Sequence, residues 1–526
     1  PDDSFFDLGG DSILATRMIF ELRKKLFIDV PLGTIFKHPT ISSFASAVQR
    51  LSNMEDGSET AENDAVENEN ASKIDYYEDA VKLSKTQLKH TYQTLERLDP
   101  SKEINIFLTG ATGFLGTFIA KELLQRSELN IKIYAHVRAK DPETGLQRLI
   151  KTSKTYGVWD NSYKSKLEVV LGDLSKPQFG LSDESWNKLS STIDVIIHNG
   201  ALVHWVYPYD KLRDANVIST INVLNMCSEG KAKHFTFVSS TSTVDVPHYV
   251  ALGASLHSKE KDIGGILESD DLMAAKSGLG TGYGQSKWSA EFIIRRAGEL
   301  GLRGAIIRPG YVQGFSESGA ANTDDFLLRM LKGCVEVGSY PEITNSVNTV
   351  PVDHVARIVA ASALHPPAKT GEKLSVVQVT GHPRIKFNEM LAALNDFGYE
   401  VRKEEYRAWC KTLEKFVIDD GNDNALFPLL HMVLGNLPED SLAPELDDRN
   451  AREVLAEDKK WYGSDDAKHA RGVTKEVLAV YVSYLIKIGF LPKPEKTPTV
   501  AIPDVKISEE SIELIRSGAG ARTSAN

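Results

Sequence analysis

The sequence predicts a small all-α unit followed by a doubly wound α/β domain with a parallel sheet and a mostly helical C-terminal part. Three observations carry this. Ile13, Leu14, Met18, Ile19, Leu22 and Leu26 recur at helical spacing near the start of the chain, and Pro31 closes that run. Short apolar runs at 104–108, 131–137, 167–171, 195–197, 234–238 and 305–307 then alternate with longer amphipathic stretches, the rhythm of successive βα units. Beyond about residue 350 the alternation fades, and helix-like stretches dominate, as at 386–397, 402–418 and 475–488.

A chain of 526 residues with 41% apolar side chains is long enough for several domain-sized units. We place a helical unit at 1–51, a linker at 52–72, the sheet domain with a helical lead-in at 73–350, a C-terminal subdomain at 351–516 and a frayed tail at 517–526. The linker assignment rests on Glu55, Asp56, Glu59, Glu62, Asp64, Glu67 and Glu69, which come with too little apolar surface to offset chain entropy. The chain begins without Met, inside an apparent motif, and reads as a fragment of something longer.

Charge excludes some partners. With 61 basic against 72 acidic residues the formal charge is -11, which repels a nucleic-acid backbone or an anionic bilayer. No apolar run reaches the roughly 20 residues of a membrane span, and no signal-peptide pattern opens the chain. Cys227, Cys334 and Cys410 lie far apart without a metal-ligand spacing. Neither a metal site nor a disulfide framework is expected, and a reducing cytoplasm fits best.

The first motif is the string Phe5-Phe6-Asp7-Leu8-Gly9-Gly10-Asp11-Ser12-Ile13-Leu14. Two glycines let the backbone turn tightly and put Ser12 at the mouth of an amphipathic helix. By position alone Ser12 reads as an ordinary N-cap. The string nevertheless resembles the attachment motif of peptidyl carrier domains, and Pro31, Leu32, Ile35, Phe36, Pro39, Thr40 and Ile41 resemble their second half. That resemblance implies 4′-phosphopantetheine esterified to Ser12, an acyl group held as a thioester on its thiol, and a phosphopantetheinyl transferase to attach it. The first helix of the carrier fold is missing here, so the unit is expected to be truncated at its N-terminus.

Directly after the first strand stands Thr109-Gly110-Ala111-Thr112-Gly113-Phe114-Leu115-Gly116. A glycine-rich strand-to-helix turn brings backbone amides and a helix N-terminus up to a pyrophosphate, so Gly110, Thr112, Gly113, Phe114, Leu115 and Gly116 are candidate dinucleotide contacts in a Rossmann-type domain. An NAD-preferring site would place a carboxylate on the ribose about 20 residues later. Here the second strand runs instead into Arg138, whose guanidinium suits a 2′-phosphate, which favours NADPH. The glycine spacing resembles the extended short-chain dehydrogenase/reductases. From that resemblance, and from carboxylic acid reductases, Arg148 would face the same phosphate, Asp173 and Leu174 the adenine, and Asn199, Gly200 and Ala201 the pyrophosphate and ribose. Pro309 and Gly310, in Arg308-Pro309-Gly310, would lie beside the nicotinamide.

Chemistry is suggested by Tyr283-Gly284-Gln285-Ser286-Lys287. Spacing of i, i+4 puts tyrosine and lysine on one helix face, where an ammonium lowers the cost of forming a phenolate. Behind the hydroxyl-rich end of the fifth strand this resembles the Ser/Thr-Tyr-Lys triad of short-chain reductases. Thr241 takes the hydroxyl position, with Ser240 and Ser239 as alternatives that also line the cofactor. His204, in Val203-His204, reads as a packing or loop-ordering residue.

The motifs in this order resemble the fungal L-2-aminoadipate reductases over nearly the whole chain. The resemblance implies NADPH-dependent release of a carrier-bound L-2-aminoadipyl thioester as the 6-semialdehyde in lysine biosynthesis, fed by an upstream adenylation domain that this chain lacks. A terminal thioester reductase of another peptide-like or carboxylic acid pathway is the alternative, and an extended short-chain epimerase or dehydratase a more distant one.

Overall fold

In a computed structural model of the chain the described residues are 3–10, 12–26, 30–55, 74–89, 91–93, 95, 97–204, 207–259, 264–366, 374–419, 423–462 and 470–517. Most of the expected acidic linker and the end of the tail lie outside them; the helix Ile41–Glu55 takes in the linker's first residues.

Seven strands build one parallel sheet: β1 (Ile104–Thr109), β2 (Ile131–Val137), β3 (Leu167–Leu171), β4 (Val195–His198), β5 (His234–Val238), β6 (Gly304–Pro309) and β7 (Leu374–Val379). They lie in the order β7-β6-β5-β4-β1-β2-β3. Both faces are covered, which is why these strands read as unbroken apolar runs. Alternate side chains of β1 show it. Ile106 and Leu108 join one cluster with Phe118, Ile119 and Leu123 of the helix Phe114–Leu124 and Val355 and Ile358 of the helix Val352–Leu364. Phe107 joins a second cluster with Tyr76, Ala80 and Leu83 of the helix Tyr76–Thr86 and Trp288 and Ile293 of the helix Gly282–Glu299. Strand order reverses between β1 and β4, and that opens a crevice at their C-terminal ends where such sheets bind ligands.

Two expectations need correction. The sheet domain does not stop near 350, because the wholly buried helix Val352–Leu364 packs on it and β7 pairs with β6 from Leu374 with Gly304 to Val379 with Pro309. One late strand among helical segments breaks no visible rhythm, so periodicity alone misses it. The stretch 402–418 is not one helix either. Arg402–Glu404 pairs as a short strand with Ser339–Pro341, and the helix Tyr406–Glu414 starts only after Glu405 caps it by accepting from the Ala408 amide.

The N-terminal unit comprises the helices Ser12–Leu26, Thr34–Lys37 and Ile41–Glu55. They close over Ala15, Ile19, Val30, Leu32 and Ile35. Gly9 has φ of +92°, and a Cβ on Gly10 would come within 2.3 Å of the Phe5 ring, so both glycines are required by the turn before Ser12. Ser12 opens its helix, but its side chain lies outside the described residues.

The C-terminal helices are tied to the sheet domain by a buried ion pair. Arg126, just past the helix Phe114–Leu124, meets Asp458 of the helix Arg449–Tyr462 through Nη1–Oδ1 at 2.5 Å and Nη2–Oδ2 at 3.0 Å, with both side chains fully buried. Glu122 Oε1 lies 3.4 Å from Arg126 Nη2 and His365 Nε2 lies 3.4 Å from Asp458 Oδ1, so removing Asp458 leaves the buried Arg126 paired with Glu122. Asp458→Ala is expected to lower the unfolding free energy by about 3 kcal/mol, read from urea denaturation.

Candidate active site

At the crevice, the chain leaves β1 through Gly110, whose φ of +70° suits glycine. A Cβ there would lie 2.7 Å from Gly200 Cα, and one on Gly116 would lie 2.0 Å from Gly110 O. The close approach draws β1, β4 and the helix Phe114–Leu124 together. Asn199 Nδ2 donates to Gly110 O at 3.3 Å and Gly200 N to Thr109 Oγ1 at 2.9 Å, while a Cβ on Gly200 would meet Leu174 at 2.9 Å. Gly110, Asn199, Gly200 and Leu174 are therefore neighbours.

The helix Phe114–Leu124 begins at Gly113 with no side-chain cap. Its first-turn amides therefore face the glycine loop without a side-chain acceptor, the arrangement that receives a phosphate. Thr112, Phe114, Leu115 and Gly116 lie in that turn. A dinucleotide fits this donor set.

Farther along the edge, Arg138 is exposed just past β2, and Arg148, on the helix Pro142–Thr155, donates its guanidinium to the Arg138 carbonyl. The two arginines thus share one corner. Burial pushes the Asp173 carboxyl up, but hydrogen bonds from Ser175 and the nearby Arg138 charge outweigh it and hold Asp173 below the usual carboxylate range.

The three candidate hydroxyls after β5 have different fates. Ser239 donates to Glu291 Oε1 at 2.5 Å in the interior, so its hydroxyl is turned from the crevice. Ser240 caps the short 3-10 turn Thr241–Val244 by accepting from Ser242 N at 3.1 Å. Thr241's hydroxyl has no hydrogen-bond partner among the described residues, and Thr241 is half-buried.

That turn packs directly on the start of the helix Gly282–Glu299: a Cβ on Gly284 would lie 2.9 Å from Ser242 O. Thr281 caps the helix by accepting from Gly284 N at 3.1 Å. Tyr283, half-buried, and Lys287, buried, follow on one face with Lys287 Nζ 5.9 Å from the Tyr283 ring centre. Lys287 Nζ donates to Val238 O, the last carbonyl of β5, at 2.7 Å. Burial brings the Lys287 ammonium down to about 7, opposed by the Glu291 carboxylate. Pro309 ends β6 and Gly310 follows it, with Gly310 N donating to Val379 O at 3.0 Å. Ala201 sits in the loop after β4, and His204 stacks on Tyr207 with ring centres 3.6 Å apart, a packing arrangement.

A cavity of about 570 Å³ beside Leu98, Pro100 and Leu129 lies at the other edge of the sheet, ahead of β1 and β2, with none of these groups near it. Among the described residues no cluster of His, Cys, Asp and Glu is grouped to hold a metal, and no helix is long and apolar enough to cross a membrane.

Two family models match the chain: a phosphopantetheine attachment site over residues 1–48 and an NAD-binding family described as male sterility protein over 108–359. L-2-aminoadipate reductase of Saccharomyces cerevisiae is 56% identical over 532 residues, covering 100% of this chain and 37% of that protein. The chain belongs to the L-2-aminoadipate reductase family. It spans less than two-fifths of the length of the curated relatives it matches. Among solved structures, the terminal R domain of the myxalamid PKS-NRPS pathway is 29% identical, with a TM-score of 0.65 over 80% of this chain and 100% of that one. A thiolation-reductase di-domain from an archaeal non-ribosomal peptide synthetase, 21% identical, shares the fold with a TM-score of 0.66 over 93% of each chain. In this aminoadipate reductase family member a phosphopantetheine carrier unit therefore precedes an NAD(P)-binding parallel-sheet domain.

Sequence reasoning missed two residues that hold the site together. Glu291, fully buried, lies one helical turn beyond Lys287 and takes both Ser239 and the Arg308 guanidinium, whose Nη2 is 2.6 Å away. Asn216 accepts from Leu202 N at 2.7 Å and donates to Ser286 Oγ at 3.0 Å, fixing the loop after β4 to the tyrosine helix. The signal for Glu291 is its i, i+4 step from Lys287, whereas Asn216 offers no spacing of its own.

Lys287 titrates near 7 when folded against 10.5 in the reference state. Between those values the unfolded chain binds a proton that the folded chain does not, so this group makes stability rise with pH. The unfolding free energy of the wild type relative to Lys287→Met is therefore expected to increase from pH 7 towards pH 10 in urea titrations. A difference flat across that range contradicts a buried, depressed lysine.

Proposed function

We propose that the chain is an NADPH-dependent reductase that releases an acyl group from its own carrier as an aldehyde. The acyl group is L-2-aminoadipyl and the product the 6-semialdehyde, a step of lysine biosynthesis. What carries the reading is Tyr283 and Lys287 on one helix face, packed against the Thr241 turn beside a dinucleotide-type crevice, in a chain that bears its own carrier. The choice of acyl group is supported by the names of the relatives.

Gly110, Thr112, Gly113, Phe114, Leu115, Gly116, Asn199, Gly200, Ala201, Pro309 and Gly310, with the backbone of Ser239 and Ser240, would hold the dinucleotide, with Asp173 and Leu174 towards the adenine. Bound NADPH supplies the hydride. Arg138 and Arg148 would meet the 2′-phosphate, since two guanidiniums at one corner favour a dianion. Thr241 and Tyr283 direct their hydroxyls at the thioester oxygen and stabilise the charge that develops there. Tyr283 then gives its proton to that oxygen. Lys287, fixed by the Val238 carbonyl, keeps positive charge close to the phenol and lowers the cost of that transfer. Breaking the carbon–sulfur bond frees the aldehyde and returns the thiol of the arm.

The remaining assignments follow. Ser12 carries 4′-phosphopantetheine, installed by a phosphopantetheinyl transferase, and an adenylation domain loads the acyl group. Three buried cysteines, Cys227, Cys334 and Cys410, none in a disulfide, fit a cytoplasmic setting. Functionally we divide the chain into carrier, linker, reductase core and a substrate-covering C-terminal part.

The test is to load the phosphopantetheinylated chain with 2-aminoadipate and follow NADPH oxidation and the released product by mass spectrometry. One equivalent of aldehyde per carrier is expected; no aldehyde overturns the proposal. Tyr283→Phe should leave the Kd for NADPH within about twofold and cut turnover about a hundredfold or more. Arg138→Ala should weaken NADPH about tenfold and leave NADH nearly unchanged, since it removes a charge-assisted contact to the 2′-phosphate alone.

A further inference from the structure

The carrier unit touches the rest of the chain through charges and rings. Asp7, in the loop that leads to Ser12, pairs with Lys211 Nζ at 2.9 Å. Arg23, on the helix Ser12–Leu26, pairs with Glu414 at the end of the helix Tyr406–Glu414. Arg17 lies over the Phe427 ring at 6.0 Å, and Phe36, stacked on Phe6, faces the His431 ring with centres 4.2 Å apart. Burial brings His431 down to about 4, so it meets Phe36 as a neutral ring.

The position of Lys211 gives the seat its meaning. It lies in the helix Tyr209–Arg213, and the residues leading into that helix press on the residue before Tyr283: a Cβ on Gly282 would come within 2.3 Å of Tyr207 O. The Asp7–Lys211 contact therefore sets the attachment loop beside the start of the tyrosine helix. The contacts are also releasable, because the Lys211 and Asp7 side chains remain 54% and 57% exposed, and exposed ion pairs hold weakly.

We propose that the face formed by Lys211, Glu414, Phe427 and His431 is the seat from which this chain's own carrier delivers its acyl group to the reductase. Complementary charge orients it, with Asp7 on Lys211 and Arg23 on Glu414, and the Phe36–His431 ring contact fills the space between. The inference rests on the thioester-reductase reading and adds where the substrate-bearing domain binds.

Two substrates separate seat from chemistry. The chain is loaded with an acyl-phosphopantetheine arm from the acyl-CoA, with loading checked by mass spectrometry. In parallel, protein carrying Ser12→Ala is given the free acyl-pantetheine thioester. Lys211→Glu and Glu414→Arg should each slow reduction of the carrier-borne group by about fivefold to tenfold, because an attraction is replaced by a repulsion. Reduction of the free thioester should stay within twofold. Adding Arg23→Glu to Glu414→Arg should restore the carrier-borne rate. An unchanged carrier-borne rate, an equal fall with both substrates, or failure of the charge swap overturns the seat and leaves the reductase reading standing. A wild-type chain that reduces neither thioester overturns both.

Discussion

The site depends on one buried carboxylate. Glu291 is removed from water, yet it stays below its ordinary range, because the Arg308 charge and hydrogen bonds from Arg308 and Ser239 outweigh the burial that would raise it. Arg308 belongs to β6, Ser239 directly follows β5, and Glu291 shares a helix with Tyr283 and Lys287. A single anion thus clamps the two strand ends that carry the hydroxyl turn and the proline-glycine loop to the helix that carries the phenol. Losing one member of such a buried set typically costs about 3–5 kcal/mol, because the remaining charge has nowhere to go.

The same anion acts on Lys287. A lysine without a carboxylate contact, buried as Lys287 is, would fall further still, since burial is the larger effect and Glu291 opposes it. The Val238 carbonyl receives Nζ and fixes its direction, while the Phe237 ring, 4.6 Å away, offers a further electron-rich face. Clamp and tuning are one piece of structure: the carboxylate that ties the helix to the sheet also opposes the fall of the ammonium one turn away.

Much of this was legible in the chain. The first six strands of the sheet coincide with apolar runs because a parallel sheet covered on both faces demands them, and the glycine turn declares itself by residues whose Cβ atoms would collide. What was not legible depended on direction. Ser239, Ser240 and Thr241 are equivalent as text, and only the fold turns Ser239 inward to Glu291 and spends Ser240 on a cap. Strand β7 escaped because a single short run carries no periodicity, and the 402–418 stretch because helical spacing continues through Arg402–Glu404 although those residues pair with Ser339–Pro341. Arg126 and Asp458 stand 332 positions apart, a separation at which no pattern in one sequence can join them.

A carrier that must visit more than one partner sets a bound on how tightly it can sit. Covalent joining gives a neighbouring domain an effective concentration on the order of millimolar. Half-occupancy of the seat then needs a Kd of about the same size, which corresponds to roughly 4 kcal/mol. Two partly exposed ion pairs, one ring contact and the Arg17–Phe427 contact are of the right order, whereas a large apolar interface would hold the carrier against the reductase. Exposed charge pairs also form at a distance, so they align the incoming attachment loop before the rings meet, and salt weakens them without touching the buried Glu291 clamp. The strong electrostatics thus lie inside the sheet domain and the weak electrostatics between it and the carrier unit.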